Sequence, residues 1–272
     1  MIALFDSGYG GLTIFSEVRK ALPLYDYVYL GDNARAPYGS RSFDVVYDFT
    51  LQAVSHLFDI GAQLVILACN TASAKALRSI QMNDLPRLDP SGRKRVLGII
   101  RPSAEVLGSF TRSGHVGILA TQGTVSSLSY VLEMQHLWPS VTVHQQACPL
   151  WVPLVENAEY DKPGADYFVN KYVGQLMAGG PDIDAIMLAC THFPLLAPKI
   201  RQALPPNVQL LSQGSIVARS LALYLERHTD LEASLSRDGS FRFLTTESPD
   251  KFIGTAELFF DGHLNVEQAR LS

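Results

Sequence analysis

The sequence predicts an α/β protein of mainly parallel sheets flanked by helices, arranged as two units that face each other across a cleft. Two observations carry that prediction. Short apolar runs alternate with helix-length stretches along nearly the whole chain, the rhythm of parallel strands joined by crossover helices that cover both sheet faces. The chain also says nearly the same thing twice: residues 65–71 read VILACNT and residues 186–192 read IMLACTH. An apolar run ending at once in reactive groups marks the carboxyl end of a buried parallel strand, where open α/β sheets place their chemistry.

In chain order, strands are expected at Ile2–Asp6, Tyr27–Gly31, Gln63–Ala68, Val96–Ile100, Val116–Ala120, Val141–Gln145, Ala185–Ala189 and Val208–Leu211. Several lack strict alternation, as strands buried on both faces do. Between them the spacing predicts helices at Leu12–Ala21, Ser42–Asp59, Ser73–Met82, Val125–His136, Ala165–Met177 and Ile216–Glu226. The half-repeat implies two sheets. Gly/Pro-containing joints near residues 99–102 and 205–207 divide the chain into a first unit, residues 1–98 completed by residues 208–272, and a second, residues 99–207. The polar stretch 230–240 is expected as a surface loop.

Composition excludes several functions. The chain has 272 residues, 26 acidic and 22 basic, for a formal charge of -4; it offers no field to hold a polyanion, so direct nucleic-acid binding is not expected. Basic residues gather between Arg87 and Arg95, but Pro86, Pro90 and Gly92 break them into a solvated loop. No apolar run approaches the roughly 20 residues of a membrane span. The opening MIALFDSGYGG reads as a strand and glycine turn, not a signal sequence. Three widely spaced cysteines form no CxxC pair and no disulfide framework, which points to a reducing compartment, the cytoplasm.

The chemistry gathers at the two strand ends. Cys69 is followed by Asn70 and Thr71, Cys190 by Thr191 and His192, and each cysteine precedes an expected helix start. A free thiol titrates near about 8.5. Lowering that by two units takes about 2.7 kcal/mol, a scale that helix N-termini and neighbouring charges can supply. Two thiols on opposite sides of one cleft suit a reaction that removes a proton from one face and delivers another to the opposite face. The third thiol, Cys148, sits among bulky apolar residues in CPLWVPLVE and reads as structural. Zinc takes three or four protein ligands, and only Cys190 and His192 are suitably close in sequence; no metal site is expected.

Around these lie three supporting features. DSGYGG, residues 6–11, is an incomplete dinucleotide fingerprint whose glycines let backbone amides approach a ligand, with Asp6 placed to accept a proton or bind an ammonium group. NARAPYGSRS, residues 33–42, makes a turn with exposed amides and a phenol, Tyr38 and Gly39 included, that could wall the cleft. Glu156 follows the CPLW segment and could orient His192.

These segments, DSGYGGLTI, APYGSRS, LACNTASA, GTVSSLSY, CPLWVPLVE, LACTHFPLL and the terminal PDKFIGTAELFF, together resemble those of the bacterial glutamate racemases, within the cofactor-independent aspartate/glutamate racemase superfamily, in family order over nearly the whole chain. The resemblance implies two Rossmann-like or flavodoxin-like α/β domains with the active site between them. It also implies interconversion of L- and D-glutamate without pyridoxal phosphate, other cofactor or metal, a homodimer, and supply of D-glutamate to peptidoglycan. By matching position, Cys69 and Cys190 would be the paired acid/base residues, with Cys69 deprotonating D-glutamate and Cys190 L-glutamate. Asp6 would assist Cys69, and His192 backed by Glu156 would assist Cys190. Ser7, Tyr38, Gly39, Asn70, Thr71, Thr121 and Thr191 would bind substrate.

Three positions depart from the resembled pattern: Gln213 stands where an acid is common, Arg101 where a neutral or acidic residue is expected, and Gln122 between the threonines of TQGT. None is a proposed catalytic group. Paired cysteines would serve an aspartate racemase equally well, and only the fuller motif set favours glutamate. Some members of the resembled family inhibit DNA gyrase; no residue pattern here supports such a role.

Overall fold

A computed structural model describes residues 1–271. Among the described residues ten strands form two separate sheets: β1 (Ile2–Asp6), β2 (Tyr27–Gly31), β3 (Leu64–Leu67), β4 (Arg95–Gly98), β5 (His115–Ala120), β6 (Thr142–Ala147), β7 (Ala185–Ala189), β8 (Gln209–Leu211), β9 (Phe241–Thr245) and β10 (Val266–Gln268). The first sheet runs β10-β9-β2-β1-β3-β4 and the second β6-β5-β7-β8. Every pairing is parallel.

The central strands explain themselves by burial. β1, β2, β3 and β7 are buried at every position, which requires helices on both faces and tolerates unbroken apolar sequence. Each fully buried Leu, Ile or Phe in them contributes roughly 1.5–3 kcal/mol by leaving water. On one face of the first sheet the ring of Phe15, from the helix Leu12–Ala21, meets Tyr27, Tyr29, Phe243 and Phe260. The Phe15 and Phe243 centroids lie 5.4 Å apart in an edge-on arrangement, one of the favoured aromatic geometries. That cluster anchors β9 beside β2.

Several elements differ from the sequence expectation. Gln209–Leu211, assigned above to the first unit, hydrogen-bonds in register with Ala185–Met187 of β7 and so extends the second sheet. β9 and β10, which were not anticipated, complete the first sheet instead. The segment 230–240 is a surface loop from Ser234 onward, but it begins in the helix Thr229–Ala233, buries Leu231 and Leu235, and is pinned where Asp26 accepts hydrogen bonds from the backbone of Asp238 and Ser240. The expected helix Ser73–Met82 is the six-residue helix Asn70–Lys75 followed by a short turn and a π-turn at Ile80–Asp84. There Asp84 is buried and accepts from the Tyr47 hydroxyl at 2.6 Å. Leu128, at φ 56°, splits the expected helix Val125–His136 into Gln122–Ser126 and Ser129–Leu137.

The first glycine turn brings the two units together. A Cβ on Gly10 would stand 2.3 Å from Thr191 Oγ1 and 2.4 Å from His192 Nδ1, so only glycine lets the loop after β1 lie against the end of β7. Thr13, in the helix that follows, donates from its hydroxyl to the Gly10 carbonyl at 2.8 Å and contacts the Thr191 carbonyl at 3.2 Å. Among the described residues, no helix is long and apolar enough to cross a membrane.

Candidate active site

The carboxyl ends of β1, β3, β5 and β7 border one cavity of about 220 Å³, below the usual range for drug-sized ligands and suited to a small molecule. From the first unit Ser7, Tyr38, Gly39, Cys69, Asn70 and Thr71 line it; from the second come Thr121, Cys148, Glu156, Cys190, Thr191 and His192. Asp6 lies behind this wall, fully buried. The cavity thus gathers eleven of the twelve residues singled out from the sequence, with Asp6 beneath them.

At the β3 end, Cys69 caps the helix Asn70–Lys75, its sulfur 3.5 Å from the Ala72 amide. Its thiol also donates toward Ser7 Oγ at 3.5 Å. Burial, followed by the negative charge of Asp6, pushes the Cys69 thiol up to about 12, despite the opposing hydrogen bonds from Ser7 and Ala72. Cys69 is therefore a thiol at neutral pH. Asp6 accepts from the Gly8 amide at 3.0 Å through Oδ2, whereas Oδ1 has no partner. Burial raises the Asp6 carboxyl above its ordinary range, against the pull of His192 and the Gly8 and Gly11 amides.

At the β7 end, His192 Nδ1 lies 3.9 Å from Cys190 Sγ and its Nε2 lies 2.9 Å from Glu156 Oε1. Burial alone would lower the imidazole. Its bonds to Cys190 and Glu156 outweigh that and raise it to about 10. An imidazolium held by a carboxylate can exchange a proton with the sulfur beside it.

The two units also touch beside the cavity. Thr71 and Thr121 hydroxyls meet at 2.9 Å, and the Gly123 amide donates to the Gly39 carbonyl at 2.8 Å. Tyr38 does not expose its phenol as expected: the ring is buried and its hydroxyl donates to Asp32. Arg35 Nε holds that same Asp32 oxygen at 2.7 Å. Tyr38 therefore walls the cavity with its ring and backbone. Cys148, read as structural, is fully buried yet also forms part of the wall.

The departures from the resembled pattern fall in three settings. Arg101 is on the surface, paired with Glu105 and Glu133 at 3.2 and 3.3 Å. Gln122 lies at the cavity and donates to Ser126 Oγ at 3.0 Å. Gln213 is buried and bonded to Asn70. Among the described residues, no three His, Cys, Asp or Glu side chains converge as a metal site would require.

Residues 13–221 match the Asp/Glu/Hydantoin racemase family. A glutamate racemase from Roseobacter denitrificans is 41% identical, the alignment covering 98% of this chain and 99% of that protein. The crystal structure of glutamate racemase isoform RacE1 from Bacillus anthracis superposes with a TM-score of 0.89 at 32% identity, covering 100% of this chain and 97% of that one. The Francisella tularensis glutamate racemase, solved in complex with D-glutamate, superposes at 0.86 and 28% identity, covering 100% and 97%.

Proposed function

The chain belongs to the Asp/Glu/Hydantoin racemase family, and from that premise we propose that it interconverts L- and D-glutamate by proton transfer between two cysteines. The observation that carries the reading is a pair of thiols in one small cavity, each with its own proton-handling neighbour. Relatives of known name that share nearly the full length of the chain support glutamate as the substrate.

In this scheme the hydroxyls of Ser7, Thr71, Thr121 and Thr191, with the Asn70 amide and the backbone near Gly39, hold the substrate carboxylates. Their hydrogen bonds stabilise charge that builds on the α-carboxylate as the α-proton leaves, the preorganised effect that contributes most in many enzymes. In the L-to-D direction Cys190, as thiolate, takes the α-proton into a new S–H bond. The Cys69 thiol breaks its own S–H bond to protonate the opposite face. After the product leaves, Cys190 gives its new proton to solvent while the His192 imidazolium, held by Glu156, stabilises the thiolate that re-forms, and solvent returns a proton to Cys69 beside Asp6. The reverse reaction exchanges the two roles. The cavity's closure across Gly39 and Gly123 excludes water and strengthens these contacts.

The same reading places the enzyme in the cytoplasm, supplying D-glutamate for peptidoglycan. Purified protein in deuterated water should exchange the α-hydrogen of glutamate and abolish its optical rotation without added cofactor. Rapid exchange with aspartate and none with glutamate would overturn the substrate assignment. Rescue of a D-glutamate-requiring bacterium would support the cell-wall role, and failure to rescue despite measured racemisation would remove it.

A further inference from the structure

A buried ring of hydrogen bonds behind the cavity determines which end of the Asn70 carboxamide faces a ligand. The direction of every bond follows from one backbone carbonyl. Ile99 O can only accept, so Ser103 Oγ, 2.7 Å away, donates to it. Ser103 Oγ must then accept from Gln213, whose Nε2 lies at 2.7 Å. That orients the Gln213 amide: Nε2 also donates to the Tyr130 hydroxyl at 2.9 Å, and Oε1 turns to Asn70. Asn70 Nδ2 donates to Gln213 Oε1 at 2.6 Å, and Asn70 Oδ1 accepts from Tyr130 OH at 2.9 Å.

Asn70, Gln213, Tyr130 and Ser103 are all buried, where a polar atom pointing the wrong way costs about 1–3 kcal/mol. The order is therefore strongly specified. Asn70 Oδ1 is turned away into the protein, and one Nδ2–H is spent on Gln213. The second Nδ2–H is the capacity Asn70 has left for the cavity it lines. A carboxamide in either orientation would fit that position sterically. Only this orientation offers a donor without an acceptor.

We propose that Gln213 is a positioning residue that, through Ser103 and Tyr130, makes Asn70 a donor-only contact. This wall of the cavity then receives a carboxylate oxygen of the substrate and rejects its ammonium group. The inference rests on the glutamate reading for the identity of the ligand, but the ring itself does not depend on it. An amide suits position 213 because it accepts from Asn70 while donating to Ser103 and Tyr130; a carboxylate could not do both when ionised.

The test compares Gln213→Met, Tyr130→Phe, Asn70→Ala and the Gln213→Met/Asn70→Ala pair. Racemisation of L-glutamate gives KM and kcat, and the side-chain 15N–1H resonances of Asn70 report the ring whether or not the protein turns over glutamate. Gln213→Met should raise KM about tenfold, the scale of one oriented hydrogen bond, with a smaller change in kcat. It should move the Asn70 carboxamide resonances, and it should add almost nothing in the Asn70→Ala background. Tyr130→Phe should move the same signals and raise KM less, and it carries the test if Gln213→Met does not fold. Unmoved Asn70 resonances in either folded variant, or fully additive losses in the double variant, would overturn the proposal. Wild-type protein inactive on glutamate with responsive Asn70 signals would instead sink the substrate reading and leave the ring standing.

Discussion

Cys69 and Cys190 end similar strands, yet their surroundings have opposite electrical character. Cys69 caps a short helix, donates to Ser7, and sits near a buried carboxylate that strengthens its hold on a proton. Cys190 faces an imidazole that Glu156 helps keep positively charged. Repeating a strand end reproduced where a sulfur is placed, not the charge that stands beside it. The charges beside the sulfurs come in part from residues outside the repeat: Asp6 from the first strand and Glu156 from the helix Trp151–Glu156. Two thiols matched in reach and unequal in charge environment suit a reaction in which one starts as donor and the other as acceptor.

The sharpest way to break this comparison is to remove either sulfur. We predict that Cys69→Ser and Cys190→Ser each lower racemisation by roughly 10²–10⁴-fold, the usual contribution of a positioned acid or base. Full activity in either variant would end the two-thiol scheme.

Removing the neighbours should expose the asymmetry more gently. Asp6→Asn and His192→Asn are each expected to reduce kcat/KM about 10- to 100-fold, the scale of a hydrogen bond to a charged group. Because the equilibrium constant between enantiomers is fixed, the loss in kcat/KM must be equal in both directions. The primary isotope effects with α-deuterated L- and D-glutamate should shift in opposite senses in the two variants. Identical shifts would mean that the two neighbours do not serve different sulfurs.

A smaller effect concerns pH and stability. His192 rises from an ordinary value of 6.5 to about 10, so the stability it contributes is fully present below about 6.5 and is lost as pH rises through about 10. Cys69, raised from 9.0 to about 12, adds a loss between those values by the same sign. Urea unfolding followed by tryptophan fluorescence should therefore show falling stability from pH 7 to pH 10. Glu156→Gln should shrink that fall by about 1.4 kcal/mol for each unit by which it lowers His192. An unchanged fall would detach Glu156 from the imidazole. Smallest of all, Cys148→Ala should leave the rate nearly unaltered and cost about 1 kcal/mol of stability. A large loss of rate would make the comparison one of three sulfurs.

The parts of this design legible in the sequence are those with local causes. β1, β3 and β7 announce themselves because burial on both faces demands uninterrupted apolar residues, and the cysteines stand out because they follow directly. β9 was hidden: Phe241–Thr245 is short and carries Arg242, and it becomes a strand through pairing with β2 and through aromatic packing on Phe15. β8 was seen but given to the wrong sheet, since three residues contain no information about their neighbour. At the site, the strand-end groups were readable, whereas the inward turn of Tyr38 toward Asp32 depends on a loop folding back on itself. Gln213 drew notice only as a departure. Its contacts come from residues 99, 103, 130 and 70, which no spacing rule connects.

The strand order β10-β9-β2-β1-β3-β4 has a consequence for how the chain is made. β1 to β4 leave the ribosome first and can pair at once, but the outer edge of β2 has no partner until Phe241–Thr245 has been synthesised. An open parallel edge is a template for other chains, and here it stays open while the entire second sheet is being translated. The C-terminal segment therefore acts as the closing seam of the molecule's oldest-made part. A chain cut short before β9 would keep both cysteines and lose the cover that guards β2 from its neighbours.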